Sequence, residues 1–474
     1  MLNSIKIKYI SFAILFIFVT SITVGLREDV AHALTINEER ELGEKLLSIV
    51  RAEFHLLDDP DITQYISRLG DELLKEIGSS YFDYHFFIVK DKEINAFAAP
   101  SGLIFFNAGL IEAMDDENEL ASVMAHEAGH IVSRHYANRL KKSGKTSIAT
   151  AALILAGIAM GAGAVSEALI TGAMATNASM NLKFSREDEE EADRLAYKWM
   201  KEEGRDPAAM VDMLRILRRI NLYRSANLPP YLLTHPEPET RMGYVQDLLL
   251  YGNKKEYRTI DEFAFKRFKY RILTQTKDPQ TLIATYRKNI AGLEKGQPDT
   301  GMEYYGLALA LAATADYGAA EKALNKVIEQ YPDKAILKTD LGVIFFESGR
   351  YDEALRIFNQ ALAMDHECTY TKYYLARTLE ETGSLDQAIR FYDELLAVQP
   401  DYANLYYRLG KISAAKGEKG VGYYYLGVYY WYEGDTKSAK WNLNEALQDL
   451  SGDDPFNAKT KSMLAKIERL EKIK

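Results

Sequence analysis

The sequence predicts two units of different class. A mostly helical α+β unit with a small sheet is expected over residues 34–250, and an all-α solenoid over 301–470, joined by a helical linker at 251–300. Three observations carry this reading. Before residue 250, apolar positions switch between helical and strand spacing. After residue 300, small residues return every 34 positions. And "SVMAHEAGHIVSRH" (122–135) sets His126, Glu127 and His130 in one apolar, helix-patterned run, in a chain with only 8 histidines among 474 residues.

In chain order, Lys6 and Lys8 precede an uncharged apolar run at 9–26, followed by "AHA" at 31–33. Basic, apolar and small-residue segments in that order predict an export signal at 1–33, cleaved after Ala33. The run is also near bilayer-spanning length, so a retained membrane anchor is the alternative. Residues 34–75 alternate apolar and charged positions at helical spacing. "YFDYHFFIV" and "INAFAAPSGLIFFNAGLI" then read as strands about a Pro-Ser-Gly turn at 100–102. The acids of "DDENE" suit the start of the helix bearing the histidines. A second helix is expected from Ser185 to about Glu203, and "LPPYLLTHPEPETR" (228–241) reads as an ordered loop. Between the two helices, 146–182 holds one charged residue, Glu167, and 148–165 holds none. Its Ala and Gly content predicts a buried or interfacial helical hairpin, with peripheral membrane contact through 147–176 as the sharper reading.

The solenoid follows from columns of residues. Ala308, Gly342, Ala376 and Gly410 are 34 apart, as are Ala320, Ala354 and Ala388, with Leu324, Phe358 and Tyr392 four positions further on. Small residues permit close helix crossing and large ones fill the gaps, which is the tetratricopeptide pattern. After Gly410 the rhythm breaks, since Gly427 comes 17 residues later. Such a solenoid leaves a concave face for protein partners. The tyrosines of "YYYLGVYYWY" either line that face or pack inside the repeat.

Composition narrows the function classes. The chain is 47% hydrophobic and 27% charged, with a net charge of -10; that balance excludes nucleic acid as main partner, because phosphate binding needs clustered Lys and Arg. A single cysteine, Cys368, excludes an internal disulfide and a thiolate metal site. A metal must sit on histidine and carboxylate.

On an α-helix, residues four apart are separated by about 400° of rotation, so His126 and His130 share a face. That spacing lets two imidazoles reach one zinc, with Glu127 beside the metal as general base. His135, nine positions after His126, lies about 180° away, so it is not expected to join the cluster and reads as a surface or packing residue. A catalytic zinc needs a third protein ligand. "SREDEEEAD" offers Glu187, Asp188, Glu189, Glu190, Glu191 and Asp193. Of these, Glu189 and Asp193 share a face with the small Ala192 and Ala196, whereas Glu190 falls toward solvent.

H-E-x-x-H followed by E-x-x-x-D resembles the zinc metallopeptidase family of HtpX and the CAAX prenyl proteases, a gluzincin-type fold. An export signal before it and tetratricopeptide repeats after it look like the periplasmic, BepA-type branch. The resemblance implies one Zn2+ per chain held by His126, His130 and Glu189, with Glu127 as base. It gives Asp193 a catalytic proton-donor role, while the chemistry equally allows an acceptor for a ligand imidazole. "LLTHPEPETR" resembles that branch's T-H-P loop, where His235 would mask the zinc and Arg241 would bind substrate carbonyls or an oxyanion. "INAFAAPSGLIFF" would hold extended substrate by strand addition. The implied function is an exported endopeptidase that hydrolyses misfolded or stalled envelope proteins, its repeats docking the outer-membrane β-barrel assembly machinery. A chaperone-like adaptor with masked or minor proteolysis is the alternative from another class.

Overall fold

Capping residues mark where the helices begin. Thr35 and Glu38 form a reciprocal box at the first helix, and Asp59, Asp116 and Ser185 each accept a backbone N–H at the start of a later one. The structure, a computed structural model, describes residues 35–77, 81–142, 183–223, 229–252, 256–293 and 299–473. The N-terminal unit opens with α1 (Ile36–Glu53), α2 (Pro60–Leu74), β1 (His85–Val89), β2 (Ala96–Ala99) and β3 (Leu103–Asn107). It continues with α3 (Ala108–Ala113), α4 (Glu117–Val132), α5 (His135–Lys142), α6 (Arg186–Glu203), α7 (Ala208–Tyr223), α8 (Pro230–Thr234) and α9 (Pro238–Tyr251). The leader at 1–33 and the weakly apolar stretch at 147–176 lie outside the described residues. Among the described residues no helix is long and apolar enough to cross a membrane.

The sheet has the order β1-β3-β2, with β1 parallel and β2 antiparallel to β3. Ser101 and Gly102, both at positive φ, make the turn between β2 and β3. The apolar run expected to continue as strand ends at Asn107. Beyond it α3 turns so that Ala108, Leu110 and Ile111 are all buried, which a two-residue period does not allow. β2 is therefore an edge strand, and its open side faces α4.

The solenoid consists of α10 (Glu262–Thr276) and α11 (Pro279–Gly292), followed by α12 (Asp299–Ala313), α13 (Tyr317–Gln330), α14 (Ala335–Glu347), α15 (Tyr351–Met364) and α16 (Thr369–Glu381). It ends with α17 (Leu385–Val398), α18 (Ala403–Ala415), α19 (Lys419–Tyr432), α20 (Thr436–Asp449) and α21 (Pro455–Lys472). Ala315, Gly349, Gly383 and Gly417 recur at the same left-handed turn, 34 positions apart. Small and large columns meet as expected, since a Cβ at Gly342 would lie 2.5 Å from the Phe358 ring. Gly434, 17 residues after Gly417, marks the broken rhythm. A Cβ there would stand 2.4 Å from the Ala52 nitrogen of α1, so the end of the solenoid packs backbone to backbone on the first helix. The tyrosine-rich helix follows the packing reading: Tyr432 stacks on Tyr406 within the repeats and also lies under the Arg51 guanidinium of α1.

The segment expected as a linker packs into both units. Phe265, Phe268 and Ile272 of α10 belong to the core of the N-terminal unit, while Phe263 belongs to the first solenoid core. On the same helix, buried Arg267 pairs with Asp61 of α2 and Asp340 of α14, and buried Arg271 with Asp59 and Asp61. Buried guanidinium groups need such partners, because one left alone costs several kcal/mol. A cavity of about 710 Å³ opens between α2, β1 and residues 367–403, and none of His126, His130 and His235 lines it.

Asp58 borders that cavity and accepts a hydrogen bond from Asn404 at 3.1 Å. Burial, and then the neighbouring Glu433 carboxylate, push its carboxyl up to about 7. The folded chain thus keeps a proton that the unfolded chain releases near pH 4, so stability falls as pH rises from about 4 to about 7. Asp58→Asn should raise the melting temperature by a few degrees at pH 8, by clearly less at pH 5, and hardly at all near pH 3; equal shifts at pH 8 and pH 5 would refute this.

Candidate metal centre

α4 and α6 cross where neither carries a bulky side chain. A Cβ at Gly129 would lie 3.0 Å from the Cα of Ala192 and 3.1 Å from its carbonyl oxygen. Glu189, Ala192, Asp193 and Ala196 are buried along one face of α6, whereas Glu190 turns outward to pair with Arg194. The crossing sets Glu189 opposite His126 and His130. His235, at the end of α8, completes a group of four buried residues whose ligand atoms lie within 4.8 Å of one another.

The separations are informative. His126 Nε2 is 3.1 Å from His130 Nε2 and 3.3 Å from His235 Nδ1. Glu189 stands 3.6 Å from His126, 3.5 Å from His130 and 3.0 Å from His235. Four ligands about 2.0–2.1 Å from a central zinc form a tetrahedron with edges of roughly 3.3–3.4 Å. The charges fit as well. Glu127, Glu189 and Asp193 face a single buried guanidinium, Arg241, and a divalent cation makes up the difference. These residues therefore suit a zinc ion on both geometry and charge.

Burial alone would raise the Glu189 carboxyl, but His235 and Arg241 overturn that and hold it well below the carboxylate range. Burial also keeps the His130 imidazole well below its usual value, in the neutral form that a metal ligand requires. Glu127 accepts the Ala98 N–H of β2 on Oε2 at 2.8 Å. Its Oε1 has no hydrogen-bond partner among the described residues and lies 3.5 Å from His235 Nε2. Asp193 accepts from His126 Nδ1 at 2.8 Å and from Arg241 at 2.7 and 2.8 Å, and also contacts the Tyr244 hydroxyl. Despite burial, Arg241 and His126 keep Asp193 far below the carboxylate range. Arg241 reaches Glu189 at 2.8 Å as well, so its donors are spent on the site's own carboxylates.

A strap at 229–237 covers the cluster. Tyr231 donates its N–H to the Ile94 carbonyl on the open side of the sheet, and Thr234 accepts the Phe184 N–H. The Tyr231 ring stacks on His235 and Phe184 stacks on His130. Sequence reasoning missed Phe184, Tyr231 and Tyr244, because lone aromatics carry no metal-site signal.

One expectation needs correcting. His135 is buried, and it touches the cluster through its Nδ1, 2.8 Å from His130 Nδ1. The projection of about 180° assumed an unbroken helix. Instead α4 ends at Val132, Arg134 takes a left-handed turn at φ 51°, and α5 restarts at His135.

Residues 60–248 match the model of peptidase family M48, and residues 305–367 and 345–412 match models of the tetratricopeptide repeat. The Beta-barrel assembly-enhancing protease of Escherichia coli (strain K12) is 35% identical over 212 residues, 44% of this chain and 43% of that one. The protein of the same name in Yersinia pestis is 30% identical over 302 residues, 63% of this chain and 61% of that one. Metalloprotease LoiP of Escherichia coli (strain K12) is 28% identical over 193 residues, 40% and 72%. The match thus spans 43% of the length of the first relative. The chain carries an M48 metallopeptidase domain followed by a tetratricopeptide solenoid.

Gly129→Val should force α4 and α6 apart, costing roughly 1–3 kcal/mol by overpacking and lowering the zinc bound per chain. A full zinc complement with an unchanged unfolding midpoint would show that this crossing does not place Glu189.

Proposed function

We propose that this chain is an exported zinc-dependent endopeptidase of the periplasm. It acts on misfolded or stalled proteins during outer-membrane β-barrel assembly, with the solenoid docking substrate or the assembly machinery. The carrying observation is the grouping of four buried residues, His126, His130, Glu189 and His235, with ligand atoms within 4.8 Å of one another. The name shared by the Escherichia coli and Yersinia pestis relatives supports the setting.

A zinc held there supplies Lewis-acid polarisation of a peptide carbonyl and brings the pKa of water toward 7. Glu127, with Oε2 fixed by the Ala98 N–H, takes the proton of the attacking water on Oε1 and hands it to the leaving amine. Asp193 acts as the anionic acceptor that holds His126 with its proton on Nδ1 and Nε2 free. As an ion paired with Arg241 it has no proton to donate. Arg241 balances Glu189 and Asp193 rather than gripping substrate. The open side of β2 is the natural seat for an extended peptide, bound through main-chain hydrogen bonds with little sequence preference.

The same side of the sheet is occupied by Tyr231, and the fourth ligand position by His235. Lifting one strap would free both, so the enzyme rests in a latent form. The placement of His235 and Tyr231 over the site favours the second reading, an adaptor with minor proteolysis.

In a casein digestion assay, Glu127→Gln should lose roughly 10²–10⁴-fold in rate, the usual worth of a general base. His235→Ala should gain about tenfold or more, if its hold on the site exceeds about 1.4 kcal/mol. Full activity in the first variant would remove the peptidase reading, and no gain in the second would remove the latch.

A further inference from the structure

His135 plays no part in the chemistry above, yet it is 3% exposed and lies against a metal ligand. Its Nδ1 is 2.8 Å from His130 Nδ1, and its Nε2 is 3.4 Å from Glu191 Oε2 and 3.7 Å from Asp188 Oδ1. If the cluster holds a divalent metal, as proposed above, these distances determine every proton along the line. A ring nitrogen that binds a cation carries no proton, and the other nitrogen then does. His130 turns Nε2 toward His126 and Glu189, so its proton sits on Nδ1 and points at His135. His135 must answer with a lone pair on Nδ1, which leaves its own proton on Nε2, facing Glu191 and Asp188. The opposite assignment sets two N–H groups head to head at 2.8 Å and turns a bare nitrogen toward two carboxylates. Only the first satisfies both ends.

The surroundings hold this arrangement. The left-handed turn at Arg134 starts α5 with His135 pointing back under α4, and the Arg134 guanidinium is tied to Glu39 of α1. Ser133 Oγ donates to Glu191 Oε1 at 2.8 Å, steadying the carboxylate behind His135. Phe184 stacks on the His130 ring at 3.8 Å. The two ligand histidines are thus supported differently: His126 leans on a buried anion, Asp193, and His130 on a neutral imidazole that adds no charge beside the metal.

We propose that His135 is a positioning residue, fixing the tautomer and ring plane of His130 for metal binding. Partners of this kind are worth about 10–100-fold in metal affinity. The test compares full-length wild type, His135→Phe and His135→Gln. Zinc affinity is measured by competition with a chromophoric chelator, and the absorption spectrum of the cobalt(II)-loaded forms is recorded. Phenylalanine keeps the ring's bulk but loses the acceptor, while glutamine loses the ring but keeps an oxygen acceptor. The expected result is zinc affinity weakened about 10–100-fold in His135→Phe, with an altered cobalt spectrum, and recovery of most of the affinity in His135→Gln. Wild-type affinity and spectrum in His135→Phe would overturn the proposal, as would glutamine performing no better than phenylalanine. Failure of the wild type itself to bind zinc or cobalt would instead sink the metallopeptidase reading.

Discussion

Everything at the centre of this molecule depends on burying Glu189 where water cannot reach it. A carboxylate in that position is costly unless positive charge surrounds it. The chain supplies that charge through Arg241 on one side and sets the polar imidazoles of His126, His130 and His235 on the other. Arg241 also pairs with Asp193, so one guanidinium serves two anions and a shortfall of positive charge remains. The close crossing at Gly129 and Ala192 makes this burial necessary, because it seals the space between α4 and α6. Metal binding is thus the electrostatic completion of a packing arrangement.

Around that centre the fold separates the groups proposed to cut from those that govern access. β2 holds the base through the Ala98 N–H of its unpaired edge. The strap occupies that edge with Tyr231 and the cluster with His235. The solenoid is joined to the catalytic unit at its beginning by the Arg267 and Arg271 pairs, and at its end by α21. There Arg469 meets Glu44 and Lys45 donates to the Leu470 carbonyl. It curls back on the peptidase instead of trailing from it, so whatever docks on the repeats docks beside the catalytic unit.

Much of this was legible in the sequence because it is periodic. His126 and His130 share a helix face, Glu189 and Asp193 share another, and the solenoid repeats its columns every 34 residues. Periodicity fails where a helix breaks without punctuation. Arg134, with neither glycine nor proline beside it, takes the left-handed turn that swings His135 back to His130. The pairing of Arg267 with Asp61 and Asp340 joins residues far apart along the chain and leaves no local trace. Arg241 was singled out, but its engagement with Asp193 and Glu189 became visible only in three dimensions.

The central claim is a latent metal site with three imidazoles and one carboxylate. X-ray absorption at the zinc edge, on full-length protein purified with zinc, tests it most directly. The account predicts one zinc per chain in an oxygen and nitrogen shell at about 2.0–2.1 Å, with scattering from three imidazole rings that falls to two in His235→Ala. Absence of stoichiometric zinc, or a shell that His235→Ala leaves untouched, would contradict it.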